Sequence, residues 1–571
     1  MKNAFFTALL LVYSVVLIAQ PVSYFEKTLS QNMVVNDAYK IIKLDSTYLI
    51  AGRGISNTQQ QNSFLVEMTE FGDTTNTHLY QYDNKNVILL DVQKTNNGYA
   101  ITGEATDSIT NYERVYLFLL LTNLSGDVIL FKDLGITNYS TGKCIWADAD
   151  GSFVIGGTAY INEHKELYCL KVSADGTILW QYIDTTYTRT NYFTDILPDG
   201  TGGYYLYGSV NQYAYGLVAT GDLLLLHLNA NGQMIDQHTY SIGETDYSLD
   251  MIRTNDNNIV LGMAYGGDDS FIRGRAIKIN LNTHQIMWQS PNLYLDEAVA
   301  ALIELPDGNI ITAGSTRPPI VNSFGQMSLV KIAADGTPMW SRQYGGQWND
   351  YGYDLALSPD GGFVAVGRKD SAVVQTAFLY IVKTNCMGLL TLPQANFAAQ
   401  MDTAALRITL QNLSQFVYPD SIDGGHYLWD FGDGATSTQI NPTHTYAQGG
   451  NYTVTLTAVV CSDTSVFVQE VSTWAVGIEA SPLPPPKEEE IRVLPNPANE
   501  QISISPPSGG WGVQTHTFVL YDVLGKEVAR QVLLANGTSV KTQHLPSGIY
   551  LYQIINPQNQ TLQHGKLSIL H

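Results

Sequence analysis

A short apolar segment that ends in glycine recurs seven times along much of the chain. The seven positions are Gly52, Gly103, Gly156, Gly208, Gly262, Gly314 and Gly367, in stretches such as YLIAG, FVIGG and FVAVG. Successive glycines are separated by 51, 53, 52, 54, 52 and 53 residues. A period this regular is typical of a repeat architecture in which each repeat forms one supersecondary unit.

Each repeat has the pattern of four short strands. A turn such as PDGG, at Pro359–Gly362, precedes the glycine-ended strand, a second apolar run such as SLVKIA follows it, and Ala-Asp-Gly leads into an aromatic strand. Asp bonds to its own backbone in such turns, and Gly accepts a positive φ. Four strands in about 50 residues match a propeller blade. We therefore predict a seven-bladed β-propeller over residues 22–390.

The last repeat lacks a fourth strand with a tryptophan. Residues 22–42, VSYFEKTLSQNMVVNDAYKII, resemble that missing strand and the lead into the next unit. We predict that this N-terminal strand completes the seventh blade, because a closed ring leaves no unpaired strand edges. The repeats resemble a family of propeller repeats of about 52 residues in exported bacterial proteins.

Composition also favours sheets and turns. Of the 571 residues only 14% are charged, and the chain has 49 Gly and 35 Tyr, a balance typical of β-rich proteins. The formal net charge of −22 opposes binding to phosphate backbones. We expect a nearly all-β monomer with no nucleic-acid partner.

The first 20 residues, MKNAFFTALLLVYSVVLIAQ, place one Lys before an uncharged apolar run that closes on Ala19. This pattern is typical of a cleaved secretory signal, which we assign to residues 1–19. Later apolar runs such as GDLLLLHL have the length of strands rather than of membrane spans. We expect an exported mature chain without a transmembrane segment.

The four cysteines lack the CxxC spacing of zinc or redox sites. They are Cys144, Cys169, Cys386 and Cys461. We expect buried free thiols, although export would permit disulfides.

No sequence motif indicates a catalytic site. HExxH, GxSxG and the P-loop are absent from the sequence. We expect no catalytic residue and no cofactor. An enzyme remains the alternative, because a propeller active site gathers residues from separate blades around the axis. Such a site would bring carboxylates or a histidine together against the repeat pattern, with raised pKa values.

Two recurring residue types favour structural roles. Trp180, Trp288 and Trp340 share one phase of the repeat, where we expect packing between blades rather than a quinone cofactor. Acidic residues such as Asp199, Asp307 and Asp360 recur in the turns, and turn chemistry explains them.

Residues 395–473 form the next unit. Here YLWDFGDG is followed by NPTHTYAQGGNYTVTLTAVV, an order that resembles the polycystic kidney disease (PKD) module, an immunoglobulin-like sandwich. On a strand, Trp429 and Phe431 point to the same side and can anchor a core. We expect Asp433 to cap backbone N–H groups of the turn, and Asp430 to face the other side and bond either backbone or the Thr-His segment. A calcium ion on these two carboxylates is the alternative, although calcium prefers six or more oxygens.

The segment ASPLPPPKEEE lies within residues 474–490, which we predict to be an extended linker. Beyond it, residues 491–571 contain IRVLPNPANEQISI, FVLYDVLGKEV and LPSGIYLYQI, which resemble the type A C-terminal sorting domain of the type IX secretion system. The resemblance implies a small β-sandwich, contacts with the type IX machinery and its sortase, removal of this domain, and a Gram-negative host of the Bacteroidetes type.

These features predict an all-β secreted or outer-membrane cell-surface protein: a seven-bladed propeller, a PKD-like sandwich and a small C-terminal sandwich. Our functional hypothesis is a propeller that binds protein or glycan ligands, as in adhesion. The alternatives are a secreted enzyme that degrades polysaccharide or protein at the propeller axis, and a structural surface component.

Overall fold

The computed structural model describes residues 24–570 with gaps, and every regular element in the described part is a β-strand. The gaps are residues 31–32, 57, 59, 81–84, 108–113, 162, 188, 213–220, 267–271, 296–297, 318–323, 373–375, 418–424, 474–490, 495–497, 499, 506–515, 523–525, 535–536 and 559. The predicted signal at residues 1–19 and linker at 474–490 lie outside the described residues. The chain divides into two compact units, Met1–Ala475 and Val476–His571.

The first unit contains seven antiparallel sheets, which are the blades. Strand β1 (Phe25–Leu29) precedes them. Blade 1 has β2 (Val35–Lys43), β3 (Thr47–Ile55), β4 (Gln61–Thr69) and β5 (Thr74–Tyr80); blade 2 has β6 (Asn86–Lys94), β7 (Gly98–Thr106), β8 (Val115–Asn123) and β9 (Val128–Asp133). Blade 3 has β10 (Ser140–Ala147), β11 (Phe153–Ile161), β12 (His164–Val172) and β13 (Ile178–Asp184); blade 4 has β14 (Thr190–Pro198), β15 (Tyr204–Gln212), β16 (Asp222–Leu228) and β17 (Met234–Tyr240).

The remaining blades follow the same order. Blade 5 has β18 (Thr245–Arg253), β19 (Ile259–Gly266), β20 (Ile272–Ile279), β21 (Ile286–Gln289) and the short β22 (Tyr294–Leu295); blade 6 has β23 (Val299–Glu304), β24 (Ile310–Thr316), β25 (Gln326–Ile332) and β26 (Pro338–Tyr344); blade 7 has β27 (Asp350–Leu357), β28 (Phe363–Asp370) and β29 (Ala377–Thr384). The first strand of each blade is the inner one, because these strands contact one another around the ring.

Strand β1 is the fourth strand of blade 7. It pairs antiparallel with β29, from Phe25 opposite Lys383 to Leu29 opposite Leu379. The predicted completion of the last blade by the N-terminal strand is therefore confirmed. The Phe25 ring also occupies the space above Gly72 of blade 1, where an added Cβ would lie 2.7 Å from it.

Seven hydrophobic clusters fill the spaces between neighbouring blades, one for each junction. At the junction of blades 7 and 1, Ala38, Ile50 and Phe64 pack with Val364 and Leu379. The apolar second runs are buried on both faces, which explains their nearly continuous hydrophobicity. The ring of seven blades is closed.

A sandwich follows the propeller within the first unit. One sheet has β30 (Phe397–Asp402), β31 (Arg407–Asn412) and β34 (Thr443–Thr445), and the other has β32 (His426–Asp430), β33 (Thr436–Ser437), β35 (Asn451–Val460) and β36 (Asp463–Ser472). Trp429 is fully buried between them, beside Phe397 and Leu456. Along β35, Val454, Leu456, Ala458 and Val460 are buried and alternate with residues that are exposed or partly buried, so one face of the strand lies in the core.

The expectation of four free thiols was wrong for one pair. Cys386, just after the last blade, forms a disulfide with Cys461, in the turn between β35 and β36. The two cysteines are 75 residues apart, and only the packing of the sandwich against the propeller brings them together. Cys144 and Cys169 are buried free thiols as expected.

The second unit is a smaller sandwich. Its sheets are β37 (Arg492–Leu494), β38 (Gln501–Ser505) and β41 (Thr538–Lys541), facing β39 (His516–Tyr521), β40 (Glu527–Leu533), β42 (Gly548–Ile555) and β43 (Thr561–Ile569). Phe518, Ile502 and Leu567 lie in their shared core. Among the described residues no helix could span a bilayer.

Candidate binding site at the propeller axis

Every inner strand carries a β-bulge at the same place. The register with the second strand shifts by one residue in all seven blades, which leaves one residue unpaired. The bulged residues are Tyr39, Leu90, Lys143, Thr194, Leu249, Ala300 and Tyr353. Bulges re-aim side chains and are frequent at barrel rims and functional sites.

The residue after each bulge belongs to a set that we call the axial ring. Its members are Lys40, Asp91, Cys144, Asp195, Asp250, Ala301 and Asp354. Each aspartate accepts a backbone N–H from the next blade. The donors are Ile145 to Asp91 (2.8 Å), Met251 to Asp195 (2.8 Å), Leu302 to Asp250 (2.6 Å) and Ile41 to Asp354 (2.8 Å). The carboxylates therefore join neighbouring blades, because a buried acceptor requires a donor.

The electrostatics of the axial ring combine buried carboxylates with one cation. Burial raises the pKa of Asp91 and Asp195, and it raises the pKa of Asp354 to about 6. Lys40 takes the aspartate position in blade 1, and its Nζ lies 3.7 Å from Asp354 Oδ2. The nearby carboxylates, Asp354 first, raise the pKa of Lys40 and keep it charged.

Sequence reasoning missed the axial ring, although a signal was present. Each member lies 12 or 13 residues before the glycine that marks its repeat. Asp occupies that position in four repeats, and Lys40, Cys144 and Ala301 occupy it in the other three. Because Lys40, Cys144 and Ala301 interrupt the aspartates, no single residue type marks this position along the repeats.

A cleft of about 540 Å³ opens beside the axial ring, at the N-terminal ends of the inner strands of blades 3, 4 and 5. Aromatic rings from all three blades line it: Tyr139, Tyr192 and Tyr247. Thr141, Thr158, Thr190, Thr194 and Ser248 add hydroxyl groups. This combination of apolar faces and hydrogen-bonding groups is typical of small-ligand sites.

The described lining of the cleft carries two lysines. Lys143 and Lys165 line it, and none of its described lining residues is acidic. Lys165 Nζ lies 3.2 Å from the Tyr139 hydroxyl and 4.5 Å from the centre of that ring. The lysines give a local positive potential that favours an anionic ligand.

The opposite side of the axis has a different arrangement. Asp37 is buried between two arginines, with Arg53 Nε at 2.9 Å and Arg368 Nη1 at 3.5 Å. Tyr39 and Tyr353 stand beside it, with ring centres 5.7 Å apart. Because Arg53 belongs to blade 1 and Arg368 to blade 7, this network holds the closing junction of the ring.

The three tryptophans lie at blade junctions, as the sequence predicts. Trp180 Nε1 donates to the Ala230 carbonyl of blade 4 at 3.0 Å, and Trp288 Nε1 donates to Ala334 of blade 6 at 2.9 Å. The rings pack over turn glycines, and a Cβ added at Gly232 would lie 2.5 Å from Trp180. These glycines are required both by their positive φ and by the close approach.

The turn aspartates pair with side chains on the third strand. Asp307 lies 3.7 Å from Lys331, Asp360 lies 3.2 Å from Lys383, and Asp199 lies 3.0 Å from His227. Each carboxylate also has turn contacts, such as the Gly362 N–H donated to Asp360 at 3.0 Å. The recurring acids are therefore parts of the turns rather than of one site.

Asp430 and Asp433 shape the turn after β32. Asp430 Oδ1 accepts the Gly432 N–H at 2.8 Å, and Asp433 Oδ1 accepts the Ala435 N–H at 3.0 Å. Asp430 thus bonds backbone, and the Thr-His segment contacts Asp433 instead, since His444 Nε2 lies 2.8 Å from Asp433 Oδ2 and its ring stacks on Phe431. These contacts lower the pKa of Asp433 against the opposing effect of burial. The calcium alternative stays a prediction.

Comparison with known proteins identifies the two modules that follow the propeller. Residues 391–472 match the family model described as PKD domain, and residues 492–567 match the one described as secretion system C-terminal sorting domain. The chain carries a PKD domain and a type IX sorting domain. The sorting domain indicates export and a secreted or cell-surface location, and it implies interaction with the type IX machinery.

Curated relatives match only parts of the chain. Collagenase ColA of Bacillus cereus is 68% identical over 31 residues, which is 5% of this chain and 3% of the relative. Pre-pro-metalloprotease PrtV of Vibrio cholerae is 28% identical over 155 residues, or 26% of this chain and 16% of the relative. The chain thus spans less than a fifth of the length of these relatives.

Among solved structures, the Neurospora crassa Pan2 WD40 domain is 10% identical, with a TM-score of 0.39, and the match covers 61% of this chain and 89% of that chain. Strand pairing and the hydrophobic clusters between neighbouring sheets define the seven blades.

Proposed function

We propose that the propeller binds an acidic glycan in the cleft formed by blades 3, 4 and 5, and that the protein acts as an adhesion-type binding module at the cell surface or after release. The observation that carries the proposal is the set of tyrosines from three consecutive blades beside Lys143 and Lys165. Tyrosine faces stack on sugar rings, and the lysines complement carboxylate or sulfate groups.

The export route completes the proposal. A secretory signal at residues 1–19 directs the chain out of the cytoplasm, and the domain beyond the linker then engages the type IX machinery and its sortase in a Bacteroidetes-type outer membrane. Support comes from the sorting-domain match at residues 492–567 and from the apolar run closing on Ala19. Domain limits at 22–390, 395–473 and 491–571 belong to the same proposal.

Binding of the purified mature chain to polygalacturonate and alginate tests the glycan proposal, with neutral dextran as the reference polysaccharide. We expect binding to the acidic polymers, weakened about tenfold or more by Tyr192→Ala or Lys143→Met. Lys132→Met removes a charge on the exposed outer strand of blade 2 and should leave binding unchanged. Cleft variants that bind like the unmodified chain would overturn the proposal.

The enzyme alternative has one observation in its favour, the raised pKa of carboxyl groups at the axis. These carboxylates follow the repeat, and each accepts a backbone N–H from the next blade. Their shifts therefore follow from burial in a structural role. Release of reducing ends from the same polysaccharides is the measurement that would favour an enzyme over a binding module.

A further inference from the structure

Two histidines and an aspartate meet at the outer junction of blades 4 and 5. Asp236 and His238 lie two residues apart on one face of β17, and His284 comes from the turn between β20 and β21. The carboxylate oxygen and the imidazole nitrogens of the three residues all lie within 4.8 Å of one another. His284 Nε2 is 3.7 Å from Asp236 Oδ2, and the imidazoles of His238 and His284 are stacked, with centres 3.8 Å apart and planes 20° apart. All three residues are partly buried.

This group departs from the repeat. Asp236 is paired with His227, whereas the same strand positions hold tryptophan paired with lysine in blades 3, 5 and 6. Those pairs are Trp180 with Lys171, Trp288 with Lys278, and Trp340 with Lys331. Blade 4 therefore replaces the ring that packs on the next blade with a carboxylate, and replaces the lysine with a histidine. Blades 1 and 2 also lack the tryptophan, with Asn76 opposite Glu67 and Leu130 opposite Leu121, so what sets blade 4 apart is a carboxylate opposite a histidine.

His284 also departs from the repeat, at a cost in backbone energy. It adopts a φ of +55°, whereas the corresponding turn positions in blades 2 and 4 are Gly126 and Gly232, with φ of +87° and +73°. Gly126 and His284 are equivalent positions because each accepts a hydrogen bond from the same tyrosine of the preceding blade. Tyr80 donates to the Gly126 carbonyl, and Tyr240 donates to the His284 carbonyl. A residue with a Cβ is disfavoured at such a φ, and residues held in this way often mark functional sites.

We propose that Asp236, His238 and His284 bind one divalent transition-metal ion of the zinc class across this junction. Two imidazole nitrogens and one carboxylate oxygen suit zinc-class ions, whereas calcium and magnesium prefer oxygen ligands throughout. Bond lengths near 2.0–2.1 Å in a tetrahedron place ligand atoms about 3.3 Å apart. Side-chain rotation that separates the two stacked imidazoles would bring the three groups to that spacing, and water would take the fourth position.

His227 serves as a positioning residue in this site. Its Nε2 lies 3.0 Å from Asp199 Oδ2, and its Nδ1 lies 3.9 Å from Asp236 Oδ1. The partly buried Asp199 thus fixes the orientation of the His227 ring, which faces Asp236. Outer contacts of this kind orient metal-binding carboxylates and histidines. The metal would link the outer strand of blade 4 to the turn of blade 5 that contains His284. In blades 3, 5 and 6 a tryptophan makes the contact with the next blade instead.

Calorimetric titration of the chelator-treated mature chain with ZnCl2 tests the proposal. We expect one tight zinc equivalent that His284→Gly weakens by more than the 10–100-fold typical of lost outer contacts. His284→Gly restores the residue used in the other blades, so it should fold without strain. Asp236→Asn keeps the shape of the side chain and should also weaken binding. With Co²⁺ in place of zinc, the visible absorption band of a four-coordinate ion should vanish in both variants.

Blade 1 offers a matched control. In blade 1, His78 occupies the strand position that His238 has in blade 4, and Asn76 occupies that of Asp236. The residue of the next blade that contacts His78 is Gly126, at the position of His284. His78→Ala should retain the tight zinc equivalent. Three results would overturn the proposal: no tight zinc equivalent in the unmodified chain, equal affinity in His284→Gly, or equal loss in His78→Ala.

Discussion

At the level of single residues, the axial ring shows how one position serves both structure and charge balance. Asp354 is buried, accepts the Ile41 N–H and faces Lys40 across 3.7 Å. Its pKa of about 6 lies above the ordinary value near 4. The stability that this carboxyl contributes is complete below about pH 4 and is lost as the pH rises through about 6. Lys40 limits that loss because it favours the ionised form.

Replacing Lys40 with methionine should therefore have a pH-dependent effect. We expect Lys40→Met to lower the melting temperature of the propeller by about 2–4 °C at pH 7.5, where the ring carboxylates lose their cation. The decrease should be smaller at pH 5, where Asp354 is mostly protonated. Scanning calorimetry at the two pH values measures both. An equal decrease at both pH values, or an equal effect of Lys132→Met, would contradict this account.

The sequence predicted the roles of several residues and missed others for a physical reason. The roles of Trp180 and of the turn glycines follow from local rules. The size of the indole ring and the tolerance of glycine for a positive φ are properties of the residue itself. The role of Asp195 depends on a backbone N–H of blade 5, 56 residues away. The approach of His284 to Asp236 likewise depends on the packing of one blade on the next. Such contacts have no signature within one repeat.

At the level of elements, the segment after β29 and the turn between β35 and β36 join the propeller to the PKD domain. The disulfide between Cys386 and Cys461 lies there, with Tyr24 hydrogen-bonded to Asp463 and Ser462 Oγ donating to the Asp360 carbonyl at 3.3 Å. The sequence does not indicate this junction, because the two cysteines are 75 residues apart in different modules whose packing against each other has no local sequence signature.

Peptide mapping of the unreduced protein tests this junction. We expect a single disulfide-linked peptide pair containing Cys386 and Cys461. Cys144 and Cys169 should react with iodoacetamide only after unfolding, because burial raises the pKa of both thiols. Rapid alkylation of Cys461 in the native, unreduced protein, or a disulfide-linked peptide pair that includes Cys144, would contradict the Cys386–Cys461 disulfide.

At the level of the whole molecule, closure of the ring positions the cleft and the proposed metal site. The even glycine period predicts seven blades, and β1 pairs with β29 to complete the last one. Residues of blades 7 and 1 then share one core with Ile50 and Leu379. An open array would expose the inner faces of both end blades and would not hold the inner strands around one axis.

Hydrogen exchange followed by mass spectrometry, on peptides that cover residues 25–43 of the mature chain, tests ring closure most directly. The account predicts slow exchange of the β2 amides and protection in β1 equal to that of β13, the outer strand of blade 3. Exchange of residues 25–29 at the rate of an unstructured peptide, with β2 exchanging faster than the inner strand β14, would contradict a ring closed by the N-terminal strand.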